Sequence, residues 1–136
     1  MQINDGQVFR GLANAVKYEY DHKYISGHRY VMGLDYPRID DDGGIVVIDA
    51  TDKKLVMNKR LSAGDWHLQR SRILNYHGAW MPDVIWAEAN SIGAVNTEAL
   101  QMEGFPVRPF KLTGRSNISL IESLAEIVTG KPRSPV

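Results

Sequence analysis

From residue 30 onward, runs of apolar β-forming residues are separated by clusters of turn residues. Residues 30–35 (YVMGLD) and 45–49 (IVVID) flank an acidic turn at 40–44 (DDDGG), a pattern that predicts a β-hairpin. The two-residue period of strands puts Val31, Gly33 and Asp35 on one face of the first strand and Tyr30, Met32 and Leu34 on the other. A polar turn at 52–54 leads to a third strand over 55–61, with Leu55, Met57 and Leu61 inward. Three strands joined by short turns form an antiparallel meander.

After residue 61 the period changes. Asp65 is placed to cap a helix in which Trp66, Ile73 and Leu74 share a face and which Gly78 is expected to stop. Pro82 and Asp83 introduce a fourth strand over 84–89, where Val84, Trp86 and Glu88 share a face. A second helix is expected over 94–103 with Val95, Ala99 and Met102 as its stripe, followed by a strand over 105–111 that Pro106 and Pro109 confine to a sheet edge. Ser116 or Asn117 caps a last helix whose stripe is Ile118, Ile121, Leu124, Ala125 and Val128, ending at Gly130. The order β-β-β-α-β-α-β-α predicts an α/β fold: a mixed five-stranded sheet in which the meander is followed by parallel fourth and fifth strands, with helices on the faces. Residues 1–29 read as a lead-in and residues 30–136 as the domain.

A length of 136 residues suits one domain with a real core, and the absence of cysteine fits a reducing compartment. No apolar run reaches the length of a membrane span, and the N-terminus has neither the basic start nor the apolar core of a signal peptide, so a soluble cytoplasmic protein with no membrane partner is expected. Lys plus Arg and Asp plus Glu balance at 16 each, so net charge offers no argument for a nucleic-acid partner, although Lys53, Lys54, Lys59 and Arg60 form a local basic cluster. The four histidines, His22, His28, His67 and His77, lack the spacing of a zinc site. There is no dinucleotide fingerprint and no phosphate-binding Gly-rich loop ending in Lys-Ser/Thr.

The candidate chemistry centres on Asp35. An acid at the end of an apolar strand is costly to bury unless it is paired or holds a metal. If the fourth strand lies parallel to the first, Asp35 and Glu88 end at the same sheet edge, where open α/β sheets bind ligands. Asn90 and Ser91, between that strand and the next helix, either position a substrate or cap the helix. Asp40 to Asp42 with two glycines are most simply turn chemistry, and Trp66, Trp80 and Trp86 read as packing residues.

Four segments carry a resemblance: QVFRGL (7–12), YVMGLDYPRIDDDGGIVVID (30–49), DWHLQRSRI (65–73) and VIWAEANSIG (84–93), with FPVRPFKLTGRSNISLIESLAEIV (105–128) continuing it. Together they resemble the C-terminal nuclease domain of the large terminase subunit of tailed bacteriophages, within the RNase H-like superfamily. The resemblance implies an RNase H-like fold and a metal-dependent endonuclease of a phage or prophage DNA-packaging motor, acting on double-stranded DNA in the host cytoplasm. It implies an N-terminal packaging ATPase, a small terminase subunit and a portal as partners. Asp35 matches the family's first-strand aspartate and Glu88 its fourth-strand acid, which makes both catalytic metal ligands. Asp42 falls where the family often has an acid, with Gly43 and Gly44 in place of the usual aromatic-Thr pair. The family's third metal-binding aspartate lies beyond residue 136, and neither Glu122 nor Glu126 takes its position.

Phosphodiester hydrolysis needs an activated water, in-line geometry and neutralised leaving-group charge, which two Mg²⁺ or Mn²⁺ ions about 3.5 to 4 Å apart supply. Asp35 is expected to bridge both ions and Glu88 to hold one. Arg38 and Arg115, in the loops beyond the first and fifth strands, are the expected DNA phosphate contacts. Two rival readings share the fold: a module that binds DNA or packaging partners without cutting, and a nuclease of the resolvase or transposase type.

Overall fold

Strands form where the apolar β-forming runs and their flanking turns predict them, and a parallel pairing at the centre of the sheet joins the meander to the βα units. The computed structural model describes residues 17–18, 23–112, 114 and 116–130. Its strands are β1 (Lys17–Tyr18), β2 (Tyr30–Asp35), β3 (Gly43–Asp49), β4 (Lys54–Leu61), β5 (Val84–Glu88) and β6 (Val107–Phe110). Its helices are α1 (Trp66–Trp80), α2 (Ser91–Met102) and α3 (Asn117–Thr129). The sheet order is β1-β4-β3-β2-β5-β6. Strands β2, β3 and β4 form the expected antiparallel meander, while β5 runs parallel to β2 and β6 parallel to β5. To these five expected strands the sheet adds β1, two residues pairing parallel with β4. So short a strand carries no alternation from which to read it.

Both faces of the sheet are covered. Tyr30, Met32 and Leu34 of β2 pack with Ile45, Val47, Ile85 and Ala87 against Ile73 and Trp80 of α1 and Leu100 of α2. On the other face Val46, Ile48 and Leu55 meet Leu120, Ile121, Leu124 and Ala125 of α3. Gly33 lets α3 approach: a Cβ there would come within 3.1 Å of Val46 and 3.2 Å of Leu120 and Leu124. A β-bulge corrects the expected single inward face of β4. Val47 pairs with Met57 but Ile48 with Leu55, so Val56 is the extra residue and the facing alternation switches there. Leu55 therefore packs under α3, while Met57 and Leu61 pack under α1 and α2.

Each helix departs from expectation in its boundary or its buried face. Helix α1 starts where Asp65 caps it, accepting from the Leu68 N–H at 2.9 Å, but it runs through Gly78 to Trp80. Met81, at φ 45°, supplies the left-handed terminus, its N–H donating to the His77 carbonyl at 2.8 Å. Burying Trp80 against Tyr30, with ring centroids 5.2 Å apart, outweighs the cost of about 1 kcal/mol for a glycine inside a helix. Helix α2 begins three residues before the expected start, and its stripe is rotated. Val95 and Met102 are 68 % and 82 % exposed, whereas Gly93, Thr97 and Leu100 are buried. In α3, Ile118 is exposed and Leu120 takes its place in the core; Ser116 is the cap and Gly130 the left-handed terminus, as expected.

Tyr36 pins α2 to the end of β2: its hydroxyl lies 2.9 Å from Thr97 Oγ1 inside the protein. Desolvation pushes the Tyr36 hydroxyl up to about 12 from 10.0, with the Thr97 hydrogen bond opposing the rise. A group whose pKa is raised on folding contributes stability that is intact below its unfolded value and lost as pH rises through the folded one. Urea titrations should therefore show Tyr36→Phe less stable than the parent by roughly 1 kcal/mol at pH 8, with a shallower loss of stability between about pH 10 and 12. Parallel pH profiles for the two proteins would contradict the assignment. Gly78 is exposed, and a Cβ added to it would meet nothing within 4 Å. Gly78→Ala should raise stability by about 0.5 to 1 kcal/mol in thermal or urea unfolding; a loss of stability would mean that α1 ends at Gly78.

Candidate active site

The site is built by strand register. The β2–β5 pairing runs from Val31 opposite Val84 to Leu34 opposite Ala87, so the next position along both strands carries Asp35 and Glu88. Adjacent strands lie about 4.8 Å apart, and the two-residue alternation turns both side chains to the face covered by α3. Asp35 is 3 % exposed and Glu88 is half-buried. Both stand at the C-terminal ends of parallel strands, the edge at which such sheets bind ligands.

Close backbone contacts hold this edge together. Asp35 pairs with Gly44, and a Cβ on neighbouring Gly43 would lie 1.9 Å from the Asp35 carbonyl oxygen, so that crossing admits only glycine. A Cβ on Gly44 would lie 1.9 Å from Oδ1 of Asn117, whose Nδ2 donates to Asn58 Oδ1 at 2.7 Å and ties the start of α3 to β4. Across the sheet, a Cβ on Gly93 would lie 2.4 Å from the Glu88 carbonyl oxygen. Asn90 Oδ1 accepts from the Gly93 N–H at 2.6 Å and so caps α2. Of the two roles open to Asn90 in the sequence, capping is the one the hydrogen bond assigns. Ser91 is the first residue of that helix. The Glu-Ala-Asn-Ser-Ile-Gly run is thus a tight strand-to-helix turn that fixes the backbone of Glu88.

The remaining sequence candidates are scattered around this edge. The exposed Asp42 accepts from the Ala63 N–H at 2.8 Å and lies 3.6 Å from Arg60 Nη1, tying the β2–β3 connection to the loop before α1. Arg38 is exposed in that connection, which folds back as a small hairpin: the Arg38 N–H donates to the Asp41 carbonyl at 2.7 Å and the Asp41 N–H to that of Arg38 at 3.3 Å. Arg115 lies outside the described residues. An open cleft of about 570 Å³ beside the site is lined by Asp40, Asp41, Asp42, Arg60, Ser116 and Asn117. Of the basic cluster, Arg60 reaches this cleft, whereas Lys53 sits in the β3–β4 turn with a positive φ of 57°.

A second grouping was not legible in the sequence. His28 Nδ1 lies 2.7 Å from Asp49 Oδ2 and 3.8 Å from Asp52 Oδ2, and these ligand-type atoms all lie within 4.8 Å of one another. Asp49 is fully buried, and its Oδ1 accepts from the backbone N–H groups of Thr51 and Asp52 at 2.9 and 3.0 Å. This group stands at the opposite end of β2 and β3 from Asp35 and ties residue 28 to the β3–β4 turn. Residues 21 positions apart give no metal-ligand spacing to read.

At the Asp35–Glu88 edge the donor set is all oxygen: two carboxylates at adjoining register positions, one nearly enclosed and one reachable from solvent. That set fits a hard divalent cation, which takes carboxylate oxygens and keeps several waters.

No protein-family model matches the sequence, and no curated protein matches it. Solved structures do. The large terminase nuclease from thermophilic phage G20c superposes with a TM-score of 0.63 at 21 % identity, over 89 % of this chain and 71 % of that one. Its magnesium-bound form gives 0.65 at 20 % identity, over 90 % and 70 %. The large terminase nuclease domain of Thermus phage P74-26 gives 0.62 at 22 % identity, over 90 % and 68 %. The chain therefore carries the RNase H-like fold of phage large terminase nuclease domains.

Proposed function

We propose that this chain is the nuclease domain of a phage or prophage large terminase subunit, and that it hydrolyses double-stranded DNA phosphodiesters at the β2–β5 edge. The observation that carries the reading is the register that makes Asp35 and Glu88 neighbours at the ligand-binding edge of this fold. Structures of the G20c nuclease with magnesium, zinc and cobalt bound support a divalent-cation requirement. In this reading Asp35 and Glu88 hold Mg²⁺ or Mn²⁺, and two such ions supply an activated water and neutralise the leaving oxygen.

The chain's own residues do the rest. Gly43 and Gly93 admit backbone contacts that keep both carboxylates at the strand ends, and Asn90 fixes the turn behind Glu88. Arg60, in the cleft beside the site, and Arg38, beyond β2, offer guanidinium groups to DNA phosphates. Arg115 is assigned the same role. Residues 1–29 form the connector from a packaging ATPase, and residues 30–136 the nuclease domain, working with a small subunit and a portal in the host cytoplasm.

Supercoiled plasmid incubated with the protein and Mn²⁺ or Mg²⁺ should be nicked and linearised, and chelation should stop it. Asp35→Asn and Glu88→Gln should each lower the rate by roughly 100-fold or more while leaving the circular-dichroism melt in place, the scale expected for losing a metal-holding carboxylate. Equal cleavage by the parent and both variants would defeat the proposal.

A further inference from the structure

A second cleft, of about 340 Å³, lies between the β2–β3 connection, the start of α1 and the middle of α2. Pro37 and Ile39 wall one side; Trp66, Gln69 and Asn96 line the other. It begins two residues beyond Asp35, and its size falls at the small end of ligand pockets, which run from about 300 to 1,000 Å³.

One polar side chain of this cleft is held in place and a second is uncommitted. Gln69 is only 7 % exposed, and its Nε2 donates to the Gly64 carbonyl at 2.8 Å, which fixes the amide's orientation because a carbonyl can only accept. No described residue donates to Gln69 Oε1. Gln69 lines the cleft, so this acceptor belongs to a side chain that is both buried and part of the cleft wall. The Asn96 amide, half-buried on the same cleft, likewise has no partner among the described residues. The Trp66 ring is held edge-on by Tyr36, at a centroid distance of 6.2 Å and an angle of 64°, and is half-buried.

Opposite them Ile39 is 97 % exposed, yet it does not sit on a loose loop. Paired backbone bonds between Arg38 and Asp41 close the hairpin beneath it, and Pro37 at its foot is buried. The cleft thus offers an aromatic ring, a fixed acceptor, an uncommitted amide and an apolar wall. Its one charged lining residue is the cation Arg38, whereas the acids Asp40 to Asp42 line the other cleft. This combination suits a flat, neutral heterocycle attached to an anionic backbone.

We propose that the cleft is a nucleobase subsite, in which one unstacked base of the bound strand lies against Trp66, its edge read by Gln69 Oε1 and the Asn96 amide, with Ile39 closing over it. The inference rests on the nuclease reading for the identity of the strand. It adds a base contact about two residues of chain from Asp35, and so a source of cut-site preference.

The test uses free deoxynucleosides, which carry no phosphate and need no metal. Titrated into ¹⁵N-labelled protein, at least one of the four should shift the Trp66 indole and the Gln69 and Asn96 side-chain amide signals saturably. Asn96→Ala and Ile39→Ser, at positions whose side chains make no described hydrogen bond, should each weaken that binding by about fivefold or more, the scale of losing a base contact. The same variants should change the distribution of cut sites on a defined duplex. No saturable shift with any deoxynucleoside, or binding unaffected by both variants, overturns the subsite. Failure of the nuclease reading is separately visible: it would abolish metal-dependent nicking in the parent protein while leaving the nucleoside titration unchanged.

Discussion

The parallel pairing of β2 with β5 is the constraint on which the structure depends. Antiparallel pairing of β2 with β3 needs only a short connection, but bringing β5 alongside requires the chain to leave the sheet at the end of β4, cross through α1 and return in the same direction as β2. A shift of one residue in that pairing would turn Trp86 and Glu88 away from the face that carries Gly33 and Asp35. The register is secured from both sides of the sheet. Met32, Leu34, Ile85 and Ala87 are buried under α1 and α2, and Trp86 packs with Phe110 and Val31 on the face of α3.

Backbone proximity, more than side-chain bulk, shapes the carboxylate edge. Gly43 meets the Asp35 carbonyl, Gly44 meets Asn117, and Gly93 meets the Glu88 carbonyl, each at a distance that a methyl group would violate. These contacts are why acids can stand at the strand ends without long loops to carry them. They also place the two clefts on opposite faces of one short connection, residues 37–42: the acidic cleft with Arg60 toward α3, and the neutral one with Trp66 toward α1 and α2. The connection is fixed at both ends, by Tyr36 against Thr97 and by Asp42 against the Ala63 N–H, so its tip is presented rather than loose.

Much of this was legible in the sequence because it rests on periods and caps. Apolar β-forming runs bounded by turn residues marked five strands, Asp65 and Ser116 marked helix starts, and the order of elements implied that Asp35 and Glu88 would share an edge. What was misread depended on tertiary context. The stripe of α2 could not be phased from Val95, Ala99 and Met102, because its rotation is set by Asn90, by Gly93 against Glu88 and by Thr97 against Tyr36. Gly78 carries the ordinary signal of a helix end, and only the burial of Trp80 overrides it. The bulge at Val56, the two-residue β1 and the meeting of His28 with Asp49 leave no local trace at all. Gln69 and Asn96 look like any surface amides until the fold brings them to one cleft.

Anomalous scattering from crystals soaked in Mn²⁺ addresses the central claim most directly, since it reports the carboxylate geometry and the cation together. The account predicts a manganese peak within coordination distance of both Asp35 and Glu88, on the α3 face of the sheet. Asp35 and Glu88 on opposite faces, or manganese bound elsewhere with none at this pair, would contradict it.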